Sequence, residues 1–135
     1  MPTQAPSIQI TRYERPRGFG ALIFGGAVLS YICFAGVAIL PDESSAWQII
    51  DDFLPGSADS FRWIIKTTVP PLIAIHTIEA VAFDLTRLAP HGASRGGLLW
   101  WKWILSCWIE GFFCWKRFAS VVAAKKASAD GARKR

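Results

Sequence analysis

The sequence predicts an all-α integral membrane protein with about three transmembrane helices, the third short or tilted. Two observations carry this. Apolar residues make up 52% of the 135 positions. They are also segregated, into blocks at Gly18–Leu40, Trp63–Leu85 and Leu98–Val122 with short charged segments between them. A helix of about 20 apolar residues crosses a hydrocarbon core of about 30 Å. Three such blocks leave little chain for a water-soluble core. The expected organisation is a flexible polar tail over residues 1–17, a membrane domain over 18–122, and a basic disordered tail over 123–135.

The first block carries no charge from Gly18 to Leu40. At 1.5 Å per residue it spans about 34 Å. Arg12, Arg15 and Arg17 precede it, and Pro41, Asp42 and Glu43 end it. Ala21 and Gly25 are four apart, as are Gly26 and Ser30, a spacing that lets a second helix approach closely. The connector Pro41–Asp59 is acidic. Within it Ala46–Leu54 alternates loosely between apolar and acidic residues and predicts a short interfacial helix, with Trp47 at headgroup level and Pro55 and Gly56 closing it.

The second block contains Pro70 and Pro71 near its start, which predict a kink. A basic loop, Arg87–Gly97, leads to the aromatic third block. Trp100, Trp101 and Lys102 read as one interfacial anchor, and Lys116 and Arg117 as the other. Only about 13 apolar residues lie between them, roughly 20 Å of helix. That thin span suits the endoplasmic reticulum, whose bilayer is a few Å thinner than the plasma membrane. Three spans would put the termini on opposite sides, yet both ends are basic. The preference of basic segments for the cytoplasm therefore pulls both ends the same way.

The formal charge is +5. Beside apolar blocks, basic patches read as orientation signals and lipid contacts. Nucleic-acid binding is not expected, because the aromatics lie inside the apolar blocks rather than among the basic residues. No cleavable signal peptide is evident. Cys33, Cys107 and Cys114 fall inside apolar blocks without a Cys-x-x-Cys pair and read as small buried side chains. Two histidines make a poor metal site, so neither a metal nor a cofactor is expected. No phosphate-binding glycine loop or hydrolase elbow is present.

The chemistry-bearing pair is His76 and Glu79. Three residues apart, they share one helix face near the middle of the second block. A charged side chain there costs about 2.5–3.5 kcal/mol on insertion scales and calls for a partner. For Glu79 that partner is His76 or a base from another helix, with Lys102 one choice. Glu110 is a second buried acid. Such a pair can serve proton transfer in an apolar pocket, bind a cation, or simply lock helix register.

Ile75–Ala80 reads Ile-His-Thr-Ile-Glu-Ala. A basic glycine-containing loop follows, then Leu98-Leu99-Trp100 and an aromatic helix with Gly111-Phe112-Phe113. Over residues 60–122 this pattern resembles the transmembrane protein 254 family. The chain departs from it in a longer acidic connector, extra tryptophans and Lys102. The resemblance implies a multi-span membrane protein and supplies no activity.

The expected function is that of a non-enzymatic accessory or scaffold component of a membrane complex. Its expected partners are membrane lipids and either another membrane protein or a second copy. The alternative is a sterol- or lipid-binding protein, or an isomerase of the emopamil-binding type, using the His76/Glu79 pair.

Overall fold

A computed structural model describes residues 8–53 and 56–133, and every regular element among them is helical. Pro55, Met1–Ser7 of the expected tail, and Lys134 and Arg135 lie outside the described residues. Helix α1 is Phe19–Ile39, α2 is Ser45–Phe53, α3 is Ser57–Phe83, α4 is Leu98–Glu110 and α5 is Phe112–Arg133. After α3 the chain widens into a π-turn, Asp84–Leu88, then tightens into a 3-10 turn, Ala89–His91. Among the described residues α1 alone is long and apolar enough to cross a membrane.

Helix α3 is the spine. At 27 residues it is about 40 Å long. It begins before the apolar block because its polar first turn is tied to α2. Ala58 N–H donates to Asp51 Oδ1 at 2.9 Å, and Ser57 Oγ donates to the Ile50 carbonyl at 3.2 Å. The helix runs through Pro70 and Pro71 without ending. Helix α1 packs antiparallel to it, with Val37 beside Ile65 and Val69 at one end and Tyr31 beside His76 further along.

The acidic connector folds onto this end. Trp47 is not at a free surface: it is 6% exposed, and its Nε1 donates to the Pro41 carbonyl at 2.9 Å. Arg62 lies over its ring and pairs with Asp42 and Asp59.

A second apolar cluster lies at the other end of α3, where Phe83, Leu88, Trp103, Cys107, Cys114 and Phe118 pack together. Here the third block departs from a single span over 98–122. Trp103 and Phe118 would be about 22 Å apart in one straight helix, yet their rings lie 5.1 Å apart. The chain reverses at Gly111, whose φ of 55° lies in the left-handed region open to glycine. Thus α4 and α5 form a helical hairpin. Helix α4, with 13 residues, reaches only about 20 Å.

Both tails also depart from expectation. The stretch over 123–133 continues α5 as helix. The N-terminal segment from Ile8 to Arg17 forms no helix and lies pinned along the hairpin. Ile10 N–H donates to the His91 carbonyl at 3.0 Å, Tyr13 Oη hydrogen-bonds to Ser106 Oγ at 2.5 Å, and Lys125 Nζ donates to the Gln9 carbonyl at 2.5 Å.

Candidate functional site

The break at Gly111 creates the site. In an uninterrupted helix the Trp108 carbonyl would accept from Phe112 N–H, four residues on. The reversal removes that donor, and the last carbonyls of α4 need other partners. Cys107 O takes Gly111 N–H at 2.7 Å. Trp108 O is reached by two side chains from other helices. Tyr31 Oη of α1 donates to it at 3.2 Å, and His76 Nδ1 of α3 lies 2.9 Å away. A carbonyl only accepts, so Nδ1 carries the proton. Tyr31 Oη, 3.0 Å from Nδ1, shares this contact. Assigned in this way, Nε2 faces Glu79 and the turn at Gly111. Trp108 adds a fourth link, its Nε1 donating to Thr77 Oγ1 at 2.9 Å. One carbonyl and one indole thus tie α1, α3 and α4 in register.

His76 and Glu79 do meet on one face of α3. Nε2 lies 4.0 Å from Glu79 Oε2, too far for a hydrogen bond. What fills the space is backbone. A Cβ on Gly111 would lie 2.5 Å from Glu79 Oε2 and 2.8 Å from His76 Nε2. The pair is therefore pressed against the hairpin turn. Glu79 itself keeps about a third of its side chain exposed, at 32%, and makes no hydrogen bond among the described residues.

The expected partners lie elsewhere. Lys102 is exposed on α4 and has no polar contact with the pair. Glu110 is buried and belongs to a second network. Arg117, read from sequence as an interfacial anchor, folds back from α5 and grips both Glu110 oxygens, with Nη1 at 2.7 Å. Arg117 Nη2 also donates to Ser106 Oγ at 2.9 Å, and the guanidinium lies over the rings of Tyr13 and Trp103. The small-residue face of α1 is unused among the described residues. Ala21, Gly25 and Gly26 are exposed, nothing approaches a Cβ built on Gly25 or Gly26, and Ser30 Oγ turns back to the Ala27 carbonyl at 2.8 Å.

Sequence reasoning missed Tyr31, the Trp108 carbonyl, Gly111 and Arg117 as site residues. A lone glycine inside an apolar run, Gly111, was the one available signal.

Among the clefts near this core, three stand out. Thr77, Leu85, Trp100 and Trp108 line an apolar groove of about 280 Å³. Two basic clefts run beside the N-terminal segment. His76 and Glu79 line none of the three. The described residues hold no group of three or more potential metal ligands. Compared with protein-family models, with curated proteins and with solved structures, the chain matches none.

Proposed function

We propose that this chain is a non-enzymatic accessory component of a membrane complex. On this reading α1 and α3 cross the bilayer, and the α4–α5 hairpin dips in and returns. The observation that carries it is Glu79. A carboxylate three residues beyond His76, which meets Tyr31 midway along α1, one-third exposed and without a hydrogen bond among the described residues, is costly inside a bilayer until a donor meets it. The donor called for is a basic or amide side chain on a neighbouring membrane helix. The free face at Ala21, Gly25 and Gly26 supports close approach of such a helix.

Against the alternative of a His/Glu isomerase, His76 and Glu79 line none of the three clefts described above. A general base also needs its proton within about 2.6–3.2 Å, and the turn at Gly111 crowds Nε2, since even a Cβ there would come within 2.8 Å of it. With α4 and α5 folded back on each other, no thin third span remains to favour the endoplasmic reticulum over another membrane.

The test is native mass spectrometry of the protein released gently from its own membrane. A stoichiometric membrane-protein partner or second copy is expected. Glu79→Leu should release it with helical content unchanged, while Glu79→Gln, which still hydrogen-bonds, retains part of it. A wild-type monomer holding a sterol that Glu79→Gln loses would overturn the proposal in favour of a binding or catalytic pocket.

A further inference from the structure

We propose that the cleft between the N-terminal segment and α5 binds the phosphate headgroup of an anionic phospholipid, with Arg12, Arg15 and Arg17 as its ligands.

The cleft has a volume of about 500 Å³, and all three arginines line it. They are exposed, and none has a carboxylate within 4.0 Å among the described residues. Of the two acids on the walls, Glu110 is already matched by Arg117. That leaves Glu14 alone against three guanidiniums, so the cleft carries uncompensated positive charge. These arginines are held in place rather than scattered on a loose tail. Tyr13 anchors between Arg12 and Glu14 through Ser106, and Lys125 fastens Gln9 and Thr11 to α5. Guanidinium forks match phosphate oxygens two at a time.

Two features select a lipid over free phosphate. Part of the wall is apolar, from Phe113 and Val121, and offers a surface to the glycerol and the first acyl carbons. The cleft also reaches Gly20, the second residue of α1. It therefore lies at the depth where a spanning α1 passes from headgroups into hydrocarbon. The inference rests on insertion of α1. Its failure would leave partner docking through Glu79 untouched, since the two use different residues.

The test uses the full chain in nanodiscs of phosphatidylcholine with a minority of phosphatidic acid, and native mass spectrometry counts the retained lipids. Wild type should keep one phosphatidic acid per chain in preference to phosphatidylcholine. The triple variant Arg12→Ala/Arg15→Ala/Arg17→Ala should weaken that retention on the order of a hundredfold, about fivefold for each arginine. The triple Arg→Lys variant keeps the charge but loses the fork, and should fall roughly tenfold. Unchanged retention in the alanine variant overturns the site. Unchanged retention in the lysine variant shows only diffuse attraction and also overturns it. Displacement of the lipid by millimolar inorganic phosphate would assign the cleft to a soluble phosphate and overturn the lipid assignment. Circular dichroism checks the fold of each variant.

Discussion

At the residue scale, Gly111 is constrained in both backbone and space. Its backbone sits at φ 55°, and a Cβ there would collide with Glu79 and His76 where they now lie. Left-handed strain in a non-glycine residue costs about 1–3 kcal/mol, and overpacking adds a similar amount. Gly111→Ala should therefore destabilise the protein by about 3 kcal/mol, read as a lowered midpoint in chemical denaturation in detergent. Adding Glu79→Ala should restore part of the loss, because it removes the closest clash and leaves the strain. A Gly111→Ala protein as stable as wild type would mean that the turn does not press on the pair.

The hairpin formed by α4 and α5 encloses one buried ion pair, whose behaviour belongs to the element scale. The Glu110 side chain is fully buried, and Arg117 is its partner. Breaking such a pair leaves a buried charge and costs about 3–5 kcal/mol, whereas replacing both members with apolar groups is often neutral. Arg117→Met should thus be strongly destabilising, and Glu110→Leu/Arg117→Met close to wild type, in equilibrium unfolding. Equal losses in the single and double variants would show that Arg117 matters for packing on Tyr13 and Trp103 rather than for charge. The pair was not legible from spacing. Glu110 and Arg117 are seven residues apart, about 10 Å along a straight helix, and only the reversal at Gly111 brings them together.

For the whole molecule, the hairpin bears on where the two basic segments lie. Lys125 of α5 touches Gln9 and Thr11 of the N-terminal segment, so that segment and the basic part of α5 lie together at one end of the fold. The acidic connector, with Asp42, Asp51 and Asp59, lies at the other, where Arg62 pairs with Asp42 and Asp59. If α1 and α3 cross the bilayer, basic segments hold both termini on the cytoplasmic side. Reporters fused to either terminus should then label from the cytoplasmic side, and a cysteine placed at Glu43 from the opposite side. Opposite labelling of the two termini would restore a third full crossing.

The sequence by itself determined the helical class and the position of α1, expected over 18–40 and observed over 19–39. An uncharged apolar run ended by proline and acids leaves the chain little choice. It also placed a short helix after Pro41 and put His76 and Glu79 on one face, since both are local facts of spacing. Only the tertiary structure decided what the third block does and what the pair touches. Apolar periodicity cannot distinguish a glycine that continues a helix from one that reverses it. The carbonyl that engages Tyr31 and His76 needs partners only because Gly111 breaks the ladder beyond it.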